Sequence, residues 1–279
     1  MIKDVLVHIP TERQMRPVVD GAVSLAAAYG AHLDAVAIGY ISESTAYVMD
    51  GGAAVVSVIE MERERAKKRA EAALALFETE ARNAGIAYAC RADSAFPGEA
   101  AASLGTAARV YDLAVVLQPD ADEKTFDNSI AQEIMLQSGG PVLFIPYVFR
   151  GAFKAKRIGV CWDGSRVAAR ALRDAAPFLA QAEAVMVVTV NEPNSGYAEA
   201  SAERLAEHLA RIGRRPEKVA ATTASRSDIQ PTILSWAAEE SLDLLVMGGY
   251  GHSRLQETVL GGVTRATIQA MTVPTLMSH

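Results

Sequence analysis

The sequence predicts an α/β protein made of two tandem repeats, each a doubly wound parallel sheet. Apolar strand patterns alternate with helical patterns along the 279 residues, and three short segments recur in the same order in both halves. Because 50% of the residues are hydrophobic, each repeat can bury a core of its own.

The duplication depends on three matched pairs of segments. The segment 3–7 resembles 156–160, the segment 112–116 resembles 243–247, and the segment 140–144 resembles 273–277. Since the order is the same in both halves, we interpret them as two copies of one unit. The predicted domains are residues 1–150 and residues 151–279, with the joint around 147–155.

The second repeat has the clearer pattern of elements. Strands are predicted at 158–162, 184–190, 218–223, 242–247 and 273–277. Helices are predicted at 165–180, at 198–212, from Asp228 onward, and at 264–271. The run at 242–247 is almost continuously apolar, which is typical of a central parallel strand covered on both faces.

The first repeat follows the same order with one expansion. A loop is predicted at 41–56, and a long helix from about residue 57 to residue 84. The stretch 60–71 within this helix is dense in Glu, Arg and Lys. A solvated helix face accounts for these charges, and a partner-binding helix is the alternative interpretation.

Composition and charge argue against several classes of protein. The net charge of −6 provides no basic field for nucleic acid. Cys90 and Cys161 belong to no C-x-x-C pair or Cys/His cluster, so no zinc or iron–sulfur ligand set is predicted. No apolar run is long enough to cross a membrane, and no signal-peptide pattern is present. We expect a cytoplasmic protein whose partners include neither nucleic acid nor membrane.

A glycine-rich segment after the fourth strand of the second repeat carries the main functional signal. It reads MGGYGHS and continues to LGGVTR, where a helix begins. Gly248 and Gly251 let backbone approach a ligand closely, and Gly261 and Gly262 lead into a helix start whose N–H groups can bind phosphate. Thr264 offers a hydroxyl to the same phosphate. The alternative interpretation is a plain turn and a helix cap.

A carboxylate, Asp163, follows the first strand of the same repeat in the segment CWDGS. In a doubly wound sheet of order 3-2-1-4-5, ligands bind at the carboxyl ends of the first and fourth strands, where the strand order reverses. Asp163 would then face Gly248, and could accept hydrogen bonds from ribose or hold Mg²⁺. The alternative is a turn residue or helix cap beside Ser165.

The spacing G-x2-G-x9-G, together with the Asp-Gly-Ser turn, resembles the universal stress protein family of the tandem two-domain type. The resemblance covers both repeats, although its motifs lie only within 157–279. It implies a Rossmann-like, adenine nucleotide α-hydrolase-like fold that binds ATP or a related adenine nucleotide, with Mg²⁺ as the candidate metal. The binding positions implied by the resemblance are Asp163, which is also the candidate metal ligand, Val188, Gly248, Gly251, Gly261 and Thr264. The neighbouring loop and helix-start residues His252, Gly262 and Val263 complete the predicted site.

One position in the second repeat departs from the family pattern. Gly262 stands where Ser or Thr is usual, so a phosphate-directed hydroxyl is missing while the backbone N–H remains. His252 and Arg254, inside the loop, can pair with phosphate or be ordinary exposed residues.

The first repeat lacks the nucleotide motif altogether. Its first strand ends in IPTE and its fourth in LQPD, where Pro119 removes a backbone donor and Asp120 adds negative charge. We therefore expect nucleotide at the second repeat only.

Three functions are consistent with these observations. The first is a stress-response protein that binds an adenine nucleotide in its second repeat and acts as a regulatory or protective binding protein. The second is an interaction scaffold of the same fold without nucleotide, which Gly262 and the first repeat favour. The third, ranked last, is a weak ATP hydrolase, for which no general base is evident beside the loop and no catalytic residue is assigned.

The duplication also predicts how the repeats assemble. Each repeat is expected to form a five-stranded sheet of its own, and the two to pack as an internal pseudo-dimer about a near two-fold axis rather than as one continuous sheet. The family resemblance places 142–145 and 273–277 at the contact. A further homodimer of the whole chain is left open.

Overall fold

The computed structural model describes residues 1–41, 53–191, 199–249 and 263–279. The strands are β1 (Asp4–Ile9), β2 (His32–Tyr40), β3 (Tyr88–Ala95), β4 (Leu113–Leu117), β5 (Val142–Ile145), β6 (Arg157–Cys161), β7 (Ala184–Val190), β8 (Lys218–Thr222), β9 (Leu244–Gly248) and β10 (Thr275–Ser278). The helices are α1 (Arg16–Tyr29), α2 (Ala53–Ala84), α3 (Pro97–Ala107), α4 (Asp127–Gln137), α5 (Arg166–Asp174), α6 (Ala176–Leu179), α7 (Ala202–Arg211), α8 (Ile229–Glu239) and α9 (Val263–Ala270).

The two halves of the chain have the same strand order. All ten strands form one sheet, β3-β2-β1-β4-β5-β10-β9-β6-β7-β8, so the order 3-2-1-4-5 of the first half is repeated by the second. Strand pairs within each half are parallel. The predicted α/β class with two doubly wound repeats is therefore confirmed.

The junction between the halves is an antiparallel pair of strands. β10 pairs with β5, and Leu276 lies opposite Leu143, its equivalent in the duplicated sequence. Pairing of equivalent residues about one point is what a two-fold axis between the halves produces. The predicted contact at 142–145 and 273–277 is confirmed.

The expectation of two separate sheets is wrong, because the sheet is continuous through β5 and β10. These strands would otherwise be free edges with unpaired N–H and C=O groups. Joining them satisfies both edges at once.

Helices cover both faces of this sheet. The buried side chains of α1, α2, α5, α6 and α7 share one core with Val5 and Val7, whereas Leu6 points to the opposite face. That second face carries α3, α4, α8 and α9. Since every central strand is covered twice, its residues are apolar on both sides.

Two predicted helices of the second repeat differ from the structure by more than one residue in their bounds or are divided. The helix predicted at 165–180 is divided into α5 and α6 at Ala175, because Pro177 has no N–H to continue the hydrogen-bond ladder. The helix predicted from 198 begins at Ala202, where the Ser201 hydroxyl accepts the N–H of Arg204. Asp228 does precede α8, but its carboxylate accepts the Ser225 hydroxyl instead of capping the helix.

The long helix of the first repeat begins earlier than predicted, at Ala53, and ends at Ala84 as expected. The remainder of the predicted loop, 42–52, lies outside the described residues. Among the helices of the described ranges, none is both long and apolar enough to span a membrane.

The contact of α2 with β2 gives a test of this packing. A Cβ atom at Gly39 would lie 1.8 Å from the Ala66 carbonyl oxygen, whereas one at Gly98, on the exposed side of α3, would meet nothing within 4 Å. We expect Gly39→Ala to lower the free energy of unfolding by about 2 kcal/mol or more through overpacking. Gly98→Ala should raise it by about 0.5–1 kcal/mol. Urea unfolding of both variants measures the difference, and equal stabilities would contradict the described contact.

Candidate functional site

The carboxyl ends of β6 and β9 form the point at which strand order reverses in the second repeat. The parallel register pairs Val160 with Val246, which places Gly248 level with Trp162 and one residue before Asp163. Gly248 therefore ends β9, and Asp163 follows the end of the neighbouring strand β6, as the sequence predicts. Gly251, His252, Gly261 and Gly262 lie outside the described residues.

Asp163 lies in a tight turn between β6 and α5. Gly164 has a φ of 72°, which favours glycine, and the Ser165 hydroxyl accepts the N–H of Ala168 at 3.2 Å. One carboxylate oxygen of Asp163, Oδ1, accepts the N–H of Ser165 at 2.9 Å. The side chain is exposed, so its second oxygen is open to solvent. Asp163 therefore stabilises the turn, which was the alternative interpretation of the sequence, and its second oxygen can still accept a hydrogen bond.

Cys161, two residues earlier, is not a reactive thiol. Burial, and to a smaller extent the charge of Asp163, raise its pKa to about 12. A thiol with such a pKa stays protonated at neutral pH and is a poor nucleophile or metal ligand.

Val188 lies inside β7 and not at its end. Its side chain is 2% exposed, and its carbonyl oxygen accepts the N–H of Trp162 at 2.8 Å. Cys161 pairs with Val188, so continuing the register places Val190 level with Asp163. Val188 can therefore contribute an apolar floor, whereas Val190, which the sequence analysis missed, ends the strand beside the crevice.

Asn191 holds the far wall of the crevice in place. It has a φ of 59°, which Asn tolerates better than most residues. Its Nδ2 donates to the carbonyl oxygen of Ala224 at 2.8 Å, and its Oδ1 accepts the N–H of the same residue at 2.9 Å. The segment after β8 is thereby fixed against the end of β7. Sequence reasoning missed this residue, because the turn depends on a contact 33 residues away.

The close packing of α5 on β9 is enough to require a glycine at position 248. A Cβ atom there would lie 2.6 Å from the backbone nitrogen of Ala168 and 2.6 Å from Val167 Cγ2, on the first turns of α5. The glycine therefore allows α5 to lie directly on β9. Its presence does not by itself indicate a ligand.

The start of α9 lies on the same face of the sheet as Val188. Val263, its first residue, packs against the apolar cluster that contains Val188 and that Cys161 and Val190 also contact. Thr264 is 5% exposed. The first N–H groups of a helix have no acceptor within the helix, and the residues that lead into α9 lie outside the described residues.

The equivalent helix start in the first repeat is occupied by the chain's own carboxylates. Glu12 Oε2 accepts the N–H of Phe126, immediately before α4, at 2.8 Å. Asp127 Oδ2 in turn accepts the N–H groups of Thr11 at 3.1 Å and Glu12 at 2.8 Å. The loop after β1 and the start of α4 are thus tied together by internal hydrogen bonds.

Arg13 fills the remaining space between the ends of β1 and β4. Its side chain is only 4% exposed, and it donates to the carbonyl oxygen of Gln118 at 2.6 Å. It also donates to Asn128 Oδ1 at 3.2 Å and to Glu123 Oε2 at 3.1 Å. The first repeat therefore has an internal cation and internal anions where its crevice would be.

A buried titratable cluster lies beneath this region. The Tyr40 hydroxyl donates to Asp127 Oδ1 at 2.7 Å, and His8 Nε2 lies 3.6 Å from the same oxygen. Burial lowers the pKa of His8, against the opposing charge of Asp127, and burial raises the pKa of Tyr40. His8 is thus held neutral in the folded protein. The sequence analysis assigned no role to His8.

Comparison with known proteins agrees with the two-repeat description. Residues 154–279 match the model of the Universal stress protein family. The match spans the whole of the second repeat and does not extend into the first. A comparison with curated protein sequences finds no match.

Solved structures extend the likeness in fold to both repeats. A universal stress protein from Archaeoglobus fulgidus DSM 4304 superposes with a TM-score of 0.71 at 15% identity, covering 98% of this chain and 95% of that one. A candidate universal stress protein from Pseudomonas aeruginosa UCBPP-PA14 gives a TM-score of 0.61 at 15% identity, covering 99% and 93%. The chain therefore has the tandem universal stress protein fold.

The buried histidine predicts a pH dependence of stability. The pKa of His8 in the folded protein lies below its unfolded value of 6.5. The contribution of the neutral His8 to the free energy of unfolding is therefore complete above pH 6.5, and it is lost as the pH falls from 6.5 toward the pKa of the folded state. The slope approaches about 1.4 kcal/mol per pH unit for one proton. We expect His8→Gln to remove this part of the decline between pH 7 and pH 5 in urea unfolding.

Burial raises the pKa of Glu12, so protonation of Glu12 stabilises the folded state as the pH falls. This contribution is present in the native protein and in His8→Gln alike, so the difference between their unfolding free energies isolates His8. If the two unfolding free energies decline in parallel, His8 is not held neutral by the fold.

Proposed function

We propose that this protein is a stress-response binding protein whose second repeat binds ATP or a related adenine nucleotide. The proposal rests on three groups near the carboxyl ends of the central strands of the second repeat. They are an exposed carboxylate with a free oxygen at Asp163, the apolar floor formed by Val188 and Val263, and the start of α9. The match of residues 154–279 to the model of the Universal stress protein family supports the same assignment.

The phosphates lie at the start of α9 in this proposal. The N–H groups of its first turn and the hydroxyl of Thr264 supply donors, and the helix dipole favours negative charge there. Gly251, His252, Gly261 and Gly262 are expected to complete the phosphate loop, as the sequence predicts. Backbone donors suit a protein of net charge −6, which has no general attraction for phosphate.

In this proposal Asp163 binds either the ribose or the metal ion. Its Oδ1 is held by Ser165, so its other oxygen is directed to the ligand. The described residues contain no group of three metal-ligating side chains, so Mg²⁺ would be held by Asp163 together with phosphate oxygens. That donor set fits Mg²⁺, which commonly binds to one or two carboxylates and to the substrate phosphates.

The adenine lies against the end of β7. Val188 provides the buried apolar surface, and the backbone of Val190 is level with Asp163. Asn191 keeps the segment after β8 in position and so defines the width of the slot. Apolar contact with a few backbone hydrogen bonds is a common way to bind a planar base.

A scaffold without nucleotide is the second candidate function. The packing of α5 explains Gly248 with no ligand, and Gly262 removes a hydroxyl from the loop. The first repeat, with Glu12 and Arg13 inside its crevice, is already a version of the fold that holds only its own side chains.

Substitutions in the two repeats separate these functions. We expect Gly261→Val to abolish binding of ATP in the presence of Mg²⁺, because a side chain would occupy the backbone approach to the phosphates. Pro119→Ala, at the equivalent strand end of the first repeat, should leave the affinity unchanged. Isothermal titration calorimetry measures both affinities, with melting curves as the control for folding. Unchanged binding in a folded Gly261→Val variant would favour the scaffold.

The role of Asp163 is tested by its amide. Asp163→Asn keeps the oxygen that accepts the Ser165 N–H, so the turn should be retained. We expect it to weaken binding of MgATP by about tenfold, or roughly 1.4 kcal/mol, and to affect metal-free ATP much less. The ratio of the two affinities in each protein is the readout. An equal loss with and without Mg²⁺ would argue against a metal contact at Asp163.

A further inference from the structure

A second cavity, separate from the crevice of the second repeat, lies between the two repeats. Its free volume is about 350 Å³. One wall is the segment that follows β4 together with α4, and the other is α9. Phe144 of β5 lies beneath, so the cavity forms where the antiparallel pairing of β5 and β10 brings α4 and α9 onto one face.

The first-repeat wall presents carboxylate oxygens held in a fixed position. Asp120 Oδ2 lies 3.9 Å from the Arg13 guanidinium, which is beyond hydrogen-bond distance, and Glu123 uses only Oε2 to bind Arg13. Asn128 fixes the backbone of this wall, because its Oδ1 accepts the Asp120 N–H at 2.9 Å and its Nδ2 donates to the Asp120 carbonyl oxygen at 2.7 Å. Asp120 Oδ1 accepts the Asp122 N–H at 2.9 Å, so Asp120 Oδ2 and Glu123 Oε1 are the oxygens that can accept a hydrogen bond from a ligand.

The opposite wall presents a cation. Arg265 of α9 is exposed and, within the part of the chain that the structure describes, forms no ion pair. The side-chain amides of Gln132 and Gln269 line the same cavity. The lining therefore carries two carboxylates on one wall and the guanidinium of Arg265 on the other. Arg13, behind the acidic wall, pairs with Glu123 Oε2 and offsets part of that negative charge.

We infer that this cavity binds a small zwitterion of the α-amino-acid class. The ammonium group of the ligand binds the free oxygens of Asp120 and Glu123, and its carboxylate binds Arg265. A phosphate or dicarboxylate would be repelled by the acidic wall, and a diamine by Arg265. The volume lies at the small end of the range for ligand sites, roughly 300–1,000 Å³. The inference does not rest on the nucleotide site proposed for the second repeat.

The zwitterion requirement is tested on the full chain with L-glutamine, whose side-chain amide matches Gln132 and Gln269. Ligand-detected saturation-transfer NMR and calorimetric titration measure its binding. N-acetyl-L-glutamine lacks the ammonium group and L-glutamine α-amide lacks the carboxylate. We expect L-glutamine to bind and each blocked form to bind at least about tenfold more weakly, since one charged contact is lost. No binding of L-glutamine, or equal binding of the blocked forms, would overturn the inference.

Substitutions then locate the site. Arg265→Gln should weaken L-glutamine about tenfold but cause little further loss for the α-amide, which already lacks the carboxylate that Arg265 binds. Arg204→Gln is the matched control, because Arg204 pairs with Glu199 at 3.2 Å on an exposed surface. Both variants change exposed side chains, and melting curves verify that they fold. Equal affinity of Arg265→Gln and Arg204→Gln for L-glutamine would place any binding elsewhere.

Discussion

The antiparallel pairing of β5 with β10 is the interaction on which the rest of the structure depends. It places Leu143 opposite Leu276, both fully buried, and joins two duplicated halves into one sheet. Because the pairing relates the halves by a two-fold axis, α4 and α9 lie on the same face and share one apolar core. The cavity between the repeats exists only because of this arrangement.

The two repeats use the same backbone features in different ways. In the first, the carboxylate of Glu12 reaches across to the N–H of Phe126 and so occupies the start of α4. In the second, the equivalent loop has Asp163, which bonds the N–H of Ser165 within its own turn and keeps an oxygen exposed. The first crevice is thus closed by side chains of the chain itself, Glu12 and Arg13 among them, whereas the loop of the second leaves a carboxylate oxygen exposed. The duplicated fold is the same in both halves, and the two crevices differ in the residues of the loop that follows the first strand of each repeat.

The sequence predicted the alternation of strands and helices in each half, and the order 3-2-1-4-5 on which the location of the site depended is the order that the sheet has. It could not predict that the sheet continues through β5 and β10, since the pairing of two edges depends on no local pattern. His8 was missed because a histidine within an apolar strand has no distinctive signal, and Asn191 because its backbone turn depends on Ala224. Gly251 and Gly261 remain sequence predictions, since they lie outside the described residues.

The central claim is that only one of two homologous crevices is open to nucleotide. Native mass spectrometry of the full chain with MgATP counts the bound molecules directly. One nucleotide per chain is the predicted result, because Glu12 and Arg13 fill the first crevice. Two bound nucleotides would contradict the closure of the first repeat, and none would contradict the nucleotide site of the second.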